Sequence, residues 1–299
     1  MNIFSAARTL TALLTLGLTA AGCGGGPATP VDTIPPEREE TVTKDLPFTG
    51  GAFTLGNENG AVSVIGWDQP TVQIVGKKSM KISTAEGLFS GPSFETAAQA
   101  DAHFAALAMN VQAASDKIVV ETEYPKNNKN VTLSMEYQIK VPRGSSIEVT
   151  TENGAVRVEQ VEKEVGIETG NGEVQALGIL GDVQVETVNG AITVADCRKS
   201  IQAATDNGKI TIGLPDQGDG DISAETANGA IELNLPAAAA FDLNAETSNG
   251  SISTGFTLAA GATQTEHKLE GKVGDGGRDV TLQTKNGNIT VNPLTAAAP

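Results

Sequence analysis

Between about residue 140 and residue 293, apolar and polar residues alternate in short runs that are joined, again and again, by an Asn-Gly pair. Aligned on that pair, the runs read IEVTTENGAVRV, VGIETGNGEVQA, VQVETVNGAITV, IQAATDNGKITI, ISAETANGAIEL, LNAETSNGSIST and VTLQTKNGNITV, with LGNENGAVSV as an earlier copy. The shared phrase is apolar-x-apolar-x-Thr-x-Asn-Gly-x-apolar-x-apolar. Period two on both sides of the pair predicts two β-strands, each with one buried and one exposed face.

In isolation, Asn-Gly is a two-residue hairpin turn, because both positions of a type I′ turn need the positive φ that Asn and Gly tolerate best. Here the pairs are Asn59-Gly60, Asn153-Gly154, Asn171-Gly172, Asn189-Gly190, Asn207-Gly208, Asn228-Gly229, Asn249-Gly250 and Asn286-Gly287, with glycine spacings of 94, 18, 18, 18, 21, 21 and 37. If Asn153 and Gly154 form the loop, Glu152 stands opposite Ala155, Thr151 opposite Val156 and Val149 opposite Val158. Val149, Thr151, Val156 and Val158 then share the buried face. One such unit cannot bury that face alone, so the units must cover one another. Two architectures do this: a β-solenoid, or parallel β-helix, stacked rung on rung, and a roll of antiparallel hairpins. The constant period of 18 favours the solenoid, with the 21-residue spacings bulging from a corner. Asn-Gly is then expected at a left-handed corner, where stacked Asn side chains bond one another.

The piece from about 85 to 111 has a different pattern. Ser93 is placed as an N-cap, and Phe94, Ala98, Ala102, Ala105 and Met109 recur at helical spacing, which predicts one amphipathic helix over about 93–110. DKIVVETEY and VTLSMEYQIKVP then return to period two across the polar turn PKNNKN. The chain is thus expected to hold an N-terminal β part with the helix, 45–139, and a β-repeat body, 140–293, followed by a disordered tail, 294–299.

The repeat, the transition YQIKVPRGSSIEVTTENGAV and the C-terminal GKVGDGGRDVTLQTKNGNITV together resemble the bacterial envelope family labelled "putative adhesin", a domain of unknown function, over roughly residues 45–292. The resemblance implies a right-handed β-solenoid-like fold and an envelope location.

Residues 1–22 read as a signal peptide: Arg8, then TLTALLTLGLTAA, then small residues before Cys23. This resembles a lipoprotein lipobox, with Ala20 where Leu is preferred, and implies that Cys23 is lipidated. GGGPATPVDTIPPEREETVTK reads as a flexible tether over 23–44. The mature chain is therefore expected on a membrane through its lipid, at the outer membrane where two membranes exist, since Gly24 stands where a retention signal carries Asp.

Charge narrows the partners. The 20 Lys plus Arg against 36 Asp plus Glu give a net charge of −16, which argues against nucleic acid. Candidate chemistry is sparse. Cys197 has no evident histidine partner and reads as a small apolar residue; His103 and His267 stand in no metal or triad spacing. GKVGDGG, 271–277, reads as a tight β connection and not as a phosphate loop. PDQGDGD places Asp216, Asp219 and Asp221 on one loop, a weak calcium candidate; no cofactor is expected. Glu168, Glu186, Glu225 and Glu246 repeat at one exposed position, interrupted by Ala204, and predict an acidic stripe. The expectation is a non-catalytic envelope lipoprotein, a scaffold for binding or adhesion to an unidentified envelope or surface component. The alternatives are a polysaccharide-active β-helix enzyme and an envelope stress-sensing accessory protein, the first disfavoured by an aromatic content of 4%.

Overall fold

The computed structural model describes residues 34–83, 94–216 and 218–294. The N-terminal elements are β1 (Glu37–Pro47), β2 (Ala52–Asn59), β3 (Val62–Trp67), β4 (Thr71–Ile82), α1 (Ala97–Ala106), β5 (Ala108–Ala113), β6 (Lys117–Glu123) and β7 (Val131–Pro142). The repeats follow as β8 (Ser146–Asn153), β9 (Val156–Glu159), β10 (Val165–Asn171), β11 (Val174–Leu177), β12 (Val183–Asn189), β13 (Ile192–Ala195), β14 (Ile201–Asn207), β15 (Ile210–Gly213), β16 (Ile222–Asn228) and β17 (Ile231–Pro236). The chain closes with β18 (Phe241–Asn249), β19 (Ile252–Thr254), β20 (Thr263–Gln264), β21 (Lys268–Val273), β22 (Arg278–Asn286) and β23 (Ile289–Leu294).

Each repeat sends its first strand into one sheet and its second strand into another. The short-strand sheet runs β1-β4-β7-β3-β9-β11-β13-β15-β17-β23-β19, and the long-strand sheet runs β20-β21-β18-β22-β16-β14-β12-β10-β8-β2-β6-β5. Pairing within the repeats is parallel, with Val165, Ile167, Thr169 and Asn171 beside Val183, Val185, Thr187 and Asn189. This is the β-solenoid, and the hairpin alternative is excluded: Thr151 pairs with Asn57 and Thr169, not with Val156. The inward residues were read correctly for a different reason. Val149, Thr151, Val156 and Val158 are all buried because the two sheets face each other across one core. That core is a set of tiers, for instance Val165, Val183, Ile201 and Ile222, stacked one strand spacing apart.

Two features of the order are not sequential. The early copy, β2 and β3, lies directly against β8 and β9, so the 94-residue gap is an excursion that returns to the same stack. At the other end β22 and β23 enter between β16–β17 and β18–β19. The rungs therefore follow the order 60, 154, 172, 190, 208, 229, 287, 250. The first extra-length spacing leaves the stack in register, as expected, because Ile201 still meets Ile222 and Asn207 still meets Asn228, so the added residues fall between β15 and β16.

Three expectations are corrected. The helix spans Ala97–Ala106, with Thr96 as the N-cap accepting from the Gln99 N–H; Ser93 lies outside the described residues. Its buried face is Ala100 and Phe104, whereas Ala98, Ala102 and Ala105 are exposed and Met109 belongs to β5. Alanines on every side of this segment make its apolar stripe ambiguous, and the bulky Phe104 decides which side turns in. The tether is shorter than 23–44, because Glu37–Pro47 pairs along its whole length with β4. This edge strand is held by Glu39–Lys77 at 2.9 Å and Glu40–Lys78 at 2.8 Å, charges that its polar composition had hidden inside an apparent linker. Leu294 closes β23 and is not part of the tail, of which residues 295–299 lie outside the described residues.

Candidate functional site

The Asn-Gly corners are the most regular feature of the surface, and their glycines are required by proximity. None of the eight asparagines has positive φ, and Gly60 is the only corner glycine that does, at 127°. A Cβ on Gly190 would instead stand 2.6 Å from the Gly172 carbonyl carbon and closer still to its oxygen, and each neighbouring rung repeats this overlap. The expected left-handed corner is thus replaced by a close stack, in which only glycine lets one rung lie on the next.

The asparagines form a continuous ladder. Each Nδ2 donates to the Oδ1 of the preceding rung: Asn153 to Asn59, then Asn171, Asn189, Asn207, Asn228, Asn286 and Asn249 in turn, at 2.8–3.0 Å. Each corner glycine N–H, from Gly60 to Gly287, donates to the next asparagine carbonyl, as Gly190 does to Asn207 at 3.1 Å. The buried threonine explains itself here. Thr205 donates to the Gly190 carbonyl, Thr226 to Gly208, Thr284 to Gly229 and Thr247 to Gly287. Asn57 replaces threonine in the first rung and bonds Gly60 and Met135 carbonyls. Tyr124 closes that end, its hydroxyl bonding the Asn59 carbonyl at 2.8 Å and Asn57 Oδ1 at 3.0 Å. At the far end His267 Nδ1 meets the Gly250 carbonyl at 3.1 Å. Sequence reasoning had left His267, Tyr124 and the threonine hydroxyls without a role.

The other candidates resolve into structure. Cys197 is buried, with Sγ 3.4 Å from the Ala195 carbonyl, and burial pushes its thiol up to about 11, which removes thiolate at neutral pH. His103 bonds Asn128 at 2.8 Å and tilts against Phe94. GKVGDGG joins β21 to β22 with positive φ at Gly274, Gly276 and Gly277, and Asp242 accepts from the Gly277 N–H, which holds its carboxyl below its ordinary value. The three loop aspartates do not converge: Asp216 pairs with Arg198, Asp219 with Lys199 at 2.8 Å, and Asp221 accepts from the Asp279 N–H. Among the described residues no group of three or more His, Cys, Asp or Glu is placed to hold a metal ion. Cys23 lies outside the described residues, and among those described no helix is long and apolar enough to cross a membrane.

What remains is the outer face of the long-strand sheet. Two open concavities, of about 700 and 750 Å³, cover it from the strand starts to the corners. Glu148, Glu164, Asp182, Asp221 and Asp279 line the first, and Glu152, Glu168, Glu186, Asp206 and Glu225 the second, with Lys285 at the rim. None of these ten carboxylates is in an ion pair among the described residues. Within the expected stripe only Glu168 and Glu186 are direct neighbours, because Ala204 and Gln283 separate the others. The short-strand sheet differs: on its outer face Arg157 bonds Glu159 and Gln175, and Lys209 bonds Glu232 at 2.5 Å, holding that carboxyl below its ordinary value.

Fold and surface together define a capped two-sheet β-solenoid whose long-strand face carries ten carboxylates without ion pairs, while at its β18–β21 end Glu246 and Glu270 pair with Lys268 and Asp242 with Lys272. The chain belongs to the Toastrack DUF4097 family, whose model matches residues 70–292. Among solved structures it is similar to a "putative cell adhesion protein" from Clostridium sporogenes, at 12% identity and a TM-score of 0.38, covering 86% of this chain and 100% of that one. It is also similar to a "putative adhesin" from Bacteroides fragilis, at 14% identity and a TM-score of 0.38, covering 85% and 97%. No curated protein matches the chain.

Proposed function

We propose that the protein is a non-catalytic envelope scaffold, lipid-anchored through Cys23, whose long-strand face binds an extended, positively charged partner. The single observation that carries this reading is the set of ten carboxylates, none of them in an ion pair among the described residues, that line two concavities on the long-strand sheet. Strands stand about 4.8 Å apart in such a sheet, so carboxylates on neighbouring rungs repel across a short distance. A polycation laid along the solenoid axis relieves that repulsion and gains contacts on every rung. Attraction of this kind acts at the surface and weakens with salt.

The test is titration of the mature protein with an extended lysine-rich peptide against a glutamate-rich peptide of equal length. Binding of the first alone, weakened by salt and by the combined substitutions Glu168→Gln, Glu186→Gln and Glu225→Gln but not by Arg157→Ala, supports the reading. Equal loss from both faces, or no binding, removes it. Labelling with a radioactive fatty acid, abolished by Cys23→Ser, tests the anchor separately.

A further inference from the structure

We infer that Asn249-Gly250 is a built-in site of spontaneous deamidation, selected from eight identical dipeptides by its place at the open end of the ladder. Asn-Gly deamidates when the glycine nitrogen loses its proton to solvent base and attacks the asparagine Cγ. Ammonia leaves with a proton from water, and the resulting succinimide adds water to give aspartate or isoaspartate. The reaction thus needs a free glycine N–H and an asparagine side chain free to swing onto it.

Seven rungs deny both. Gly60, Gly154, Gly172, Gly190, Gly208, Gly229 and Gly287 each commit their N–H to the asparagine carbonyl of the next rung, at 2.8–3.1 Å. The asparagine Oδ1 of each of those rungs also accepts an Nδ2–H from the rung outside it. No rung lies outside Asn249-Gly250. The Gly250 N–H has no hydrogen-bond partner among the described residues, Asn249 Oδ1 accepts from no further asparagine, and Asn249 is exposed. Only its Nδ2 is held, by Asn286 Oδ1 at 3.0 Å and the Lys285 carbonyl at 3.5 Å. Conversion removes that Nδ2 donor and sets a carboxylate against Asn286 Oδ1. The product therefore carries one more negative charge and a loosened terminal rung.

The experiment is incubation of the intact protein in mildly alkaline buffer, followed by peptide mapping and enzymatic methylation of isoaspartate. Asn249 is expected to convert about fivefold faster than any other Asn-Gly, the factor that one lost backbone hydrogen bond of about 1 kcal/mol carries. The same incubation in denaturant should bring all eight to similar rates, which shows that the selection lies in the fold. Native conversion that is absent at Asn249, or as fast at Asn189 as at Asn249, overturns the inference. Asn249→Gln should remove the isoaspartate mapped to position 249 and lower the total native signal, and a total signal of undiminished size in that variant also overturns it.

Discussion

An interior rung and the outermost rung of this solenoid carry the same dipeptide and live in different chemistry. At Asn189-Gly190 every polar atom of the corner has a neighbour: the glycine N–H reaches Asn207, the side chain reaches Asn171 and Asn207, and the glycine carbonyl receives Thr205. At Asn249-Gly250 the inner half of this set survives, with Asn286 below, and the outer half is replaced by His267 alone. The difference teaches that the repeated phrase describes a contact between rungs and not a turn within one. A turn would be equally good at either position, whereas a contact has value only where a neighbour exists.

The comparison breaks hardest at glycine. Gly190→Ala forces a Cβ into the Gly172 carbonyl, and overpacking against rigid backbone costs about 3 kcal/mol or more. Gly213→Ala, where a Cβ meets nothing within 4 Å, should change stability by less than about 1 kcal/mol, with gain as its expected sign. Urea unfolding of the two variants reads the contrast, and equal losses would mean that rungs do not touch.

Next in size is the ladder itself. Asn189→Ala removes two asparagine-to-asparagine bonds at 2.9 Å, and Asn249→Ala removes one at 3.0 Å together with a long 3.5 Å contact to the Lys285 carbonyl, so the loss should be about 2 kcal/mol at Asn189 and smaller at Asn249, at about 1 kcal/mol per well-formed bond. The threonines sharpen this further. Thr226→Val deletes a bond to Gly208 at 3.1 Å and should cost about 1 kcal/mol. Thr187 has a buried hydroxyl with no partner, so Thr187→Val should be neutral or stabilising. A larger cost at Thr187 than at Thr226 contradicts the account of the phrase.

At neutral pH the last effect vanishes, and it emerges only in alkali. Burial raises the Cys197 thiol from 9.0 to about 11, so the folded chain keeps a proton that the unfolded chain releases. This contribution is complete below about pH 9 and is lost as pH climbs towards about 11. Tyr137, raised from 10.0 to about 12, adds a similar loss at higher pH. The slope just above pH 9 should therefore flatten in Cys197→Ala, and an unchanged slope would show that the thiol is not buried.

How far the sequence reaches follows from the same comparison. Period two on both sides of each pair, and the 18-residue spacing, made the solenoid and its inward residues legible, because both depend on local alternation. The spacing also foretold that a 21-residue unit would keep its register, as Ile201 beside Ile222 and Asn207 beside Asn228 show. The reason for glycine was misread: proximity between residues 18 apart in the chain leaves the same letter as a positive φ within one turn. The insertion of β22–β23 inside β18–β19 left no local mark, since the period-two pattern of a strand is the same whichever neighbours it pairs with. In the helix, alanines on both sides masked the face that Phe104 turns inward. At the candidate face, the stripe of Glu168, Glu186, Glu225 and Glu246 was visible as a repeat. The row of Glu164, Asp182, Asp221 and Asp279 was not, because it lies at the rung-to-rung connections, where the repeated phrase has no fixed letter.

The central claim, that Asn-Gly marks contact between rungs, is tested most directly by native-state hydrogen exchange at the corner glycine amides. The account predicts that Gly154, Gly172, Gly190, Gly208, Gly229 and Gly287 are protected to the level of global unfolding, while Gly250 exchanges freely. Fast exchange at all of these amides, or protection of Gly250 equal to that of Gly190, would contradict it.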